Sequence, residues 1–254
     1  MSLAFAVRRV TEVTDAELKS AEAVFASAFK GGKYEPMLNF LRFKFTMWSL
    51  LNQNLSPDAD LFTDVVTGGD QALYGEFHGL TVTACLRGGQ VYFAENENRE
   101  IIGVAVWFAP EQAHPLDSVE GPMVDLAPFL PKLRPEVQEW WTDVYLPDCA
   151  RLLGNQFVPE KRLTTWHLQD LATAPEYQRK GVARALIDTV KKQAAENGKT
   201  LSCLLPTNEL RIDILKKLGF EVGEDTIAFH SVEGRKFDLS VGLMEPAVEP
   251  KGLD

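Results

Sequence analysis

The stretch LATAPEYQRKGVARAL, residues 171–186, joins an apolar segment to a run with helical spacing. Apolar residues recur at steps of four from residue 182 onward, which predicts a helix over 181–197, ended by Asn197-Gly198. No Ser, Thr, Asp or Asn stands directly before Gly181 to cap the first N–H groups of this helix. The helix therefore begins without the side chain that usually stabilises such a start.

This uncapped helix start is typical of an anion-binding site. In a strand–turn–helix unit the backbone N–H groups point in one direction, and the helix dipole adds to their positive potential. Gly181 and Ala183 have little bulk, so a phosphate group can approach the backbone closely. A bound polyanion also attracts Arg179, Lys180 and Arg184, which are otherwise unfavourable at a helix N-terminus. The pattern predicts a helix capped by a ligand; a start capped by solvent is the alternative.

The flanking segments predict a β-α-β unit with a parallel strand pair and a right-handed crossover. The remaining pattern alternates between helix and strand signals. Predicted strands cover residues 4–12, 81–87, 90–95, 101–109, 163–173 (ended by Pro175), 201–207, 220–223 and 236–244. Predicted helices cover 16–29 (capped by Thr14 or Asp15), 36–51, a short segment ending at Gly68-Gly69, and 208–218 (ended by Gly219). The strands over 81–109 are expected to form an antiparallel meander.

Residues 110–160 contain eight of the fourteen prolines. Within this stretch, residues 136–153 have helical spacing interrupted by Pro147. We interpret 110–160 as an insertion that packs on one domain of residues 1–245, with 246–254 as a flexible tail. The insertion contains three aromatic residues that anchor it as core residues or, alternatively, belong to a substrate lid or an oligomer contact: Trp140, Trp141 and Tyr145.

Composition excludes several classes of protein. The net charge of −10 argues against broad nucleic-acid binding and is compatible with a cationic substrate. Three dispersed cysteines give neither a disulfide framework nor a zinc-ligand spacing. No apolar stretch approaches the roughly 18 residues of a membrane span. These features predict a soluble protein, cytoplasmic or alternatively nuclear, that holds no metal and contacts neither nucleic acid nor membrane.

The region 165–221 resembles motif A of the GNAT acetyltransferase superfamily, which binds acetyl-CoA. The residues that carry the resemblance are Leu171-Ala172-Thr173, Pro175-Glu176-Tyr177-Gln178, Arg179-Lys180-Gly181-Val182-Ala183-Arg184, Asn208 and Leu218-Gly219-Phe220. The resemblance implies an α+β GNAT fold, in which a central mixed, twisted sheet is flanked by helices. The Pro-rich helical insertion does not belong to the minimal fold of that family.

The resemblance also implies a role for each matching position. Backbone amides of 179–184 (Arg179, Lys180, Gly181, Val182, Ala183, Arg184) would hold the pyrophosphate of coenzyme A. Leu171, Ala172 and Thr173 would pair with the pantetheine arm like an added strand, and their N–H groups would polarise the thioester carbonyl. The side chain of Asn208 would contact the same arm. An amine would then attack acetyl-CoA directly in a ternary complex.

Two positions depart from the family pattern. Leu215 stands where many members place a Tyr that protonates the leaving thiolate, and Cys203 stands where some place a Glu base. Asp170 is the first candidate for the base, on a strand face that alternation assigns to Trp166 and Leu168 as well. His167, on the opposite face with Gln169, is the second candidate, and His230 follows.

The remaining candidates are weaker. His78 and His114 are placed in loops, and Cys203 is interpreted as a packing residue rather than a nucleophile. Phe29, Tyr34 and Trp48 line an acceptor pocket or belong to the core.

Two hypotheses of function follow from these residues. The first is an N-acetyltransferase that moves an acetyl group from acetyl-CoA to a primary amine of a small molecule or a protein. The second is a catalytically idle acyl-CoA-binding module, which the loss of Tyr and Glu favours. The sequence leaves the oligomeric state open.

Overall fold

A seven-stranded mixed sheet organises the chain, in the spatial order β1-β2-β3-β4-β5-β7-β6. The computed structural model describes residues 3–30, 60–111, 126–149, 164–207 and 209–246. The strands are β1 Phe5–Val10, β2 Gln90–Asn96, β3 Ile101–Phe108, β4 Trp166–Thr173, β5 Leu201–Pro206, β6 Glu221–His230 and β7 Lys236–Met244. Neighbouring strands are antiparallel except β4 and β5, which are parallel and connected by a helix, as the β-α-β prediction requires.

Six α-helices accompany the sheet in the described residues. They are α1 Asp15–Phe29, α2 Leu61–Val66, α3 Tyr74–Cys85, α4 Pro135–Trp140, α5 Val182–Glu196 and α6 Glu209–Leu218. Thr14 caps α1 as expected, and Gly198 and Gly219 follow α5 and α6 with positive φ angles of 60° and 106°. The predicted helix 36–51, residues 247–254 of the predicted tail and Asn208 lie outside the described residues.

Two hydrophobic clusters lie on opposite faces of β2, β3 and β4. One contains the buried face of α5, from Val182 to Ala194, together with Trp107 and Leu168. The other contains α1 and α3 with alternate residues of the same strands. Alternation along β2 and β3 places successive side chains on opposite faces, so both faces are apolar.

The prediction of a strand over 81–87 is wrong, because residues up to Cys85 belong to helix α3. The β-branched Thr81 and Thr83 fit this helix by donating their hydroxyls to the carbonyls of His78 and Leu80, three residues earlier. The antiparallel meander is therefore β2-β3-β4.

Close packing against α1 holds α3 in place. Added Cβ atoms at Gly75 and Gly79 would lie 2.5 Å from the Glu22 carbonyl oxygen and 2.7 Å from its Oε1. Tertiary contact thus outweighs the strand propensity of residues 81–83.

The described part of the proline-rich stretch packs through its aromatic residues. Trp140, Trp141 and Tyr145 are buried in a cluster with Phe229 and Phe237. The indole N–H groups of the two tryptophans donate to the carbonyls of His230 (2.6 Å) and Val66 (2.8 Å). These contacts are those of core residues.

Helical turns continue past Pro147 to residue 149, which corrects the expected interruption. A π turn over Trp141–Tyr145 precedes the proline, whose missing N–H would leave a helix carbonyl without its donor. The division into one domain of residues 1–245 and a tail stays a prediction.

Candidate functional site

Strands β4 and β5 diverge after a short parallel pairing. Trp166–Leu168 pair with Leu201–Cys203, and no further β4–β5 pairs occur among the residues described. On its other side, β4 remains paired with β3 to its end, where Thr173 lies opposite Gly103. The end of β4, from Leu171 to Thr173, therefore presents one backbone edge that no described strand covers. An extended ligand can pair with such an edge as an additional strand.

Thr173 carries an unsatisfied polar atom at this end of the strand. Its Oγ1 is buried and makes no hydrogen bond within the described part of the chain. Its carbonyl accepts a 3.1 Å hydrogen bond from Nε2 of Gln178, which ties the strand end to the following turn. A buried hydroxyl without a partner costs free energy, so this position fits a bound polar group.

The turn between β4 and α5 exposes several backbone donors. Arg179 and Gly181 have positive φ angles of 62° and 88°, and Gly181 is the N-cap residue of α5. No side chain caps the helix, and within residues 164–207 no hydrogen bond from the backbone N–H groups of residues 180–184 is found. A Cβ at Gly181 would meet nothing within 4 Å. This geometry is the uncapped, sterically open helix start that the sequence indicates.

The cationic side chains of the turn have different environments. Nζ of Lys180 lies 5.5 Å from the ring centroid of Tyr177. The guanidinium of Arg184 donates to the Lys217 carbonyl near the end of α6, so it stabilises a helix C-terminus in this structure. Lys180 is therefore a better candidate than Arg184 for binding an anion with its side chain.

Asp170 lies just before the open edge and on the face of β4 toward α3. Its Oδ1 is 2.8 Å from Nδ1 of His78, and its Oδ2 accepts a 2.5 Å hydrogen bond from Thr81. The expectation that it shares a face with Trp166 and Leu168 is wrong. A β-bulge is the cause: Asp170 lies opposite Val106 while Leu168 lies opposite Trp107, so Gln169 is an additional residue that inverts the alternation.

His78 connects Asp170 to a second buried carboxylate. Its Nε2 lies 2.9 Å from Oγ1 of Thr63, which donates to Asp60 at 2.6 Å, and Asp60 forms a 2.6 Å ion pair with Arg211 of α6. Burial acts to raise the pKa of Asp60, but the Arg211 guanidinium and the Thr63 hydroxyl hold it below its ordinary value.

The placement of His78 in a loop is wrong: it lies in α3 and is 3% exposed. The rings of Phe25, Phe29 and Phe77 surround its imidazole at centroid distances of 5.1, 4.4 and 4.8 Å. Phe29 thus packs on the network, whereas Tyr34 and Trp48 lie outside the described residues. Sequence reasoning missed this group, although Gly75 and Gly79, four residues apart around His78, are a signal of a closely packed helix.

The other candidate residues are distributed through the fold. His167 is buried, and its Nδ1 lies 3.1 Å from Oγ of Ser202, where β4 and β5 pair. His230 is exposed, and Leu215 packs in the α5 cluster. Burial raises the pKa of the Cys203 thiol to about 12, which fits a packing residue rather than a nucleophile. His114 lies outside the described residues.

Comparisons with known proteins agree with this architecture. Residues 156–223 match the family described as "Acetyltransferase (GNAT) domain". The unliganded form of a variant agmatine N-acetyltransferase is 13% identical and superposes with a TM-score of 0.53, over 95% of this chain and 100% of that one. Two acetyltransferases with lower TM-scores also cover nearly all of both chains.

One of these two, described as a histone acetyltransferase HPA2 and related acetyltransferase, is from Corynebacterium glutamicum (18% identity, TM-score 0.47, 99% and 100% coverage). The other is the ribosomal-protein-S18-alanine N-acetyltransferase of Escherichia coli (12% identity, TM-score 0.42, 99% of each chain). A comparison with curated protein sequences gives no significant match.

No helix among the described residues has the length and apolar character that crossing a membrane requires. The family match covers the diverging strands, the uncapped turn and α5, and it indicates an acyltransferase. The superposition on the agmatine N-acetyltransferase, with a TM-score of 0.53, shows that the two chains share a fold. The α+β fold is thus the GNAT fold, and residues 156–223 belong to the GNAT acetyltransferase domain family.

Proposed function

We propose that this protein transfers an acetyl group from acetyl-CoA to a primary amine, which attacks the thioester directly in a ternary complex. One observation carries the proposal: among the described residues, a row of backbone N–H groups at the start of α5 has no hydrogen-bond partner, and it adjoins an edge at the end of β4 that no described strand covers. The first feature suits a diphosphate and the second suits an extended amide-containing arm. Coenzyme A contains both.

The residues for each part of the donor follow from this geometry. Backbone amides of residues 179–184 would bind the pyrophosphate, and Leu171, Ala172 and Thr173 would bind the pantetheine arm. The buried Oγ1 of Thr173 and the open space at Gly181 both fit a ligand here. Acetyl-CoA, when bound, supplies an acetyl thioester whose carbonyl becomes more electrophilic beside N–H donors. Asn208 would contribute a contact through its side-chain amide.

Acid–base chemistry is assigned to Asp170. An alkylammonium group with a pKa near 10 must lose a proton before it can attack at neutral pH. Asp170 directly precedes the donor-binding segment, whereas His167 is held at the β4–β5 pairing by Ser202. We therefore propose Asp170 as the base in preference to His167. Leu215 offers no proton, but a thiolate whose conjugate acid has a pKa of about 8.5 can leave without a side-chain acid.

The nature of the acceptor rests on charge alone. The net charge of −10 suits a cationic amine, either a small molecule or a protein amino group. A cytoplasmic location and the absence of nucleic-acid and membrane partners stay predictions of the sequence.

The alternative function is an acyl-CoA-binding module without turnover. The packing of Leu215 in the core and the buried thiol of Cys203 favour it, because neither side chain can replace the family's acid or base. Calorimetry with acetyl-CoA and a panel of amines with detection of free thiol separates the two. We expect binding and amine-dependent thiol release. Binding without release from any amine would support the module, and no binding would refute both.

A further inference from the structure

The hydrogen bonds around His78 fix where its protons lie. Oγ1 of Thr63 has one proton and two neighbours, Oδ2 of Asp60 at 2.6 Å and Nε2 of His78 at 2.9 Å. Asp60 is held ionised by Arg211 and can only accept, so it takes the Thr63 proton. Nε2 must then carry a proton and donate it to Thr63. The opposite arrangement would place an oxygen lone pair against a carboxylate at 2.6 Å.

In this tautomer no proton lies between Asp170 and Nδ1 of His78. With its proton on Nε2, a neutral imidazole has a lone pair on Nδ1, which lies 2.8 Å from Oδ1 of Asp170. Two lone pairs at this distance repel each other, whereas one added proton converts the contact into a charge-assisted hydrogen bond. The pair therefore has a built-in site for one proton, which the carboxylate and the imidazole share.

We propose that His78 receives the proton that Asp170 takes from the acceptor amine, and that Thr63, Asp60 and Arg211 hold His78 in the tautomer able to receive it. His78 is thus a positioning and proton-holding residue that acts through Asp170. This inference rests on the proposed acetyl transfer. It assigns to the chain a base that does not depend on the Glu or Tyr missing from its GNAT pattern.

The hydrogen-bonded network around His78 has one end near the donor-binding strand and an interior that is more buried. Asp170 is 9% exposed and ends the network at the donor-binding strand, whereas His78 is 3% exposed and lies in its interior. Arg211, which is 23% exposed, connects the network to α6. A proton can therefore enter at Asp170 and be stabilised in the interior.

The physical advantage is basicity. An imidazole is a stronger base than a carboxylate, so a proton that passes from Asp170 to His78 is bound more tightly. Such a base is better matched to deprotonating an ammonium group near neutral pH.

The charges that face His78 are accounted for on each described element. Asp170 lies on β4, Asp60 precedes α2, and Arg211 of α6 is connected to His78 through its ion pair with Asp60. Helix α1 presents Phe25 and Phe29 to the ring, and its Glu22 packs against Gly75 and Gly79 instead.

The proton balance of the reaction is complete. The ammonium gives one proton to the Asp170–His78 pair, and the nitrogen lone pair then forms the C–N bond while the C–S bond breaks. The second nitrogen proton passes to the departing thiolate, which leaves as the thiol. The pair returns its proton to water once the product has left.

His78→Asn tests the proposal because an asparagine amide N–H can donate to Asp170, as a protonated Nδ1 does, but the amide cannot take up a proton. For an amine whose conjugate acid has a pKa near 10, we expect kcat/KM to fall about 100-fold. The acidic limb of its pH profile should move to lower pH, toward that of a carboxylate. For an amine that is already neutral at pH 7, we expect less than about a fivefold loss, since little deprotonation is needed.

Two further variants separate the relay from mere structure. Thr63→Val should reproduce the selective loss and Thr63→Ser should restore activity, because only the serine keeps the hydroxyl that fixes the tautomer. His230→Asn is the matched control at an exposed histidine and should behave as wild type. Stabilisation by acetyl-CoA in thermal unfolding should be unchanged in all four variants.

Each outcome decides a different claim. Equal losses for both classes of amine, or an unmoved pH profile in His78→Asn, would overturn the relay while leaving acetyl transfer intact. If the wild-type protein released no thiol with any amine of the panel, both the relay and the proposed function would be overturned.

Discussion

Helices α1 and α5 are both 15 residues long, yet they begin in opposite ways. Thr14 caps α1 in a reciprocal capping box with Glu17, and the first turn of α1 contains two acidic residues. Helix α5 begins at a glycine with φ +88°, has no side-chain cap and has no acidic residue in its first turn. A side chain thus satisfies one backbone donor in the first turn of α1, whereas among the described residues no side chain does so at the start of α5.

The difference teaches how to distinguish a structural helix start from a binding one. A capping residue typically contributes about 1 kcal/mol, so leaving α5 uncapped costs stability in the free protein. That cost is recovered if an anion takes the place of the cap. Substitutions at α1 should therefore change stability without changing binding, and substitutions at the start of α5 should do the reverse.

Gly181→Glu should have the largest effect on acetyl-CoA binding. The new carboxylate would lie beside the free N–H groups and repel the pyrophosphate. Loss of two charge-assisted hydrogen bonds, about 1.5–3 kcal/mol each, corresponds to at least about 100-fold weaker binding. Isothermal titration calorimetry measures it.

Gly198→Glu is the matched control for backbone strain. Gly198 also has a positive φ angle, 60°, and open space at its Cβ, but it follows the other end of α5. Both variants place a side chain in the left-handed region, at about 1–2 kcal/mol. If Gly198→Glu weakened binding as much as Gly181→Glu, the assignment of the donor site would be wrong.

The start of α5 could be predicted from the sequence because its signal is local. Gly181, the missing cap and the helical repeat after it all lie within one short stretch, and the structure places them as expected. The β-α-β pairing follows from the same stretch and its flanks.

The network around His78 was not predictable in this way, since its parts come together only in three dimensions. The bulge at Gln169 inverts the face of Asp170, and alternation cannot reveal an additional residue in a strand. Residues 81–85 have strand propensity, but the close approach of α1 at Gly75 and Gly79 makes them helical. Because the pattern of residues 81–87 predicts a strand, it places His78 in a loop and not in a helix. Its partners Thr63 and Asp170 are also distant in sequence.

Thr14→Ala should have an intermediate effect, on stability alone. It removes the hydroxyl that accepts from the backbone N–H of Glu17. Loss of such a cap typically costs about 1 kcal/mol. Chemical denaturation measures the free energy of unfolding, and calorimetry should show unchanged acetyl-CoA affinity. If Thr14→Ala lost acetyl-CoA binding but kept its stability, the proposed distinction between the two helix starts would be wrong.

Lys180→Ala should have a smaller effect, on binding alone. An exposed cation near a bound phosphate contributes up to about 1 kcal/mol, so we expect about two- to fivefold weaker acetyl-CoA binding. This difference should shrink at high salt, because exposed charges are screened. Lys192→Ala, at an exposed position later in α5, is the control and should bind as wild type. Equal weakening in both variants would indicate a general charge effect rather than a site.

Glu17→Gln should have the smallest effect, a small loss of stability that depends on pH. Hydrogen bonds from the backbone N–H and the hydroxyl of Thr14 hold the pKa of Glu17 below its ordinary value, with Arg8 contributing further. A carboxylate with a lowered folded-state pKa stabilises the protein above its unfolded-state pKa, and this contribution disappears as pH falls through the folded value. The wild-type protein should therefore be slightly more stable than the variant at pH 7, and the difference should decrease as pH falls below the unfolded-state pKa of about 4.3 and vanish below the folded-state pKa. Thermal unfolding across this range measures it, with Asp188→Asn on the exposed face of α5 as the control. If the stability difference between wild type and Glu17→Gln persisted in acid, the shape of the Glu17 side chain rather than its charge would stabilise the start of α1. The difference between the starts of α1 and α5 would then be steric instead of electrostatic.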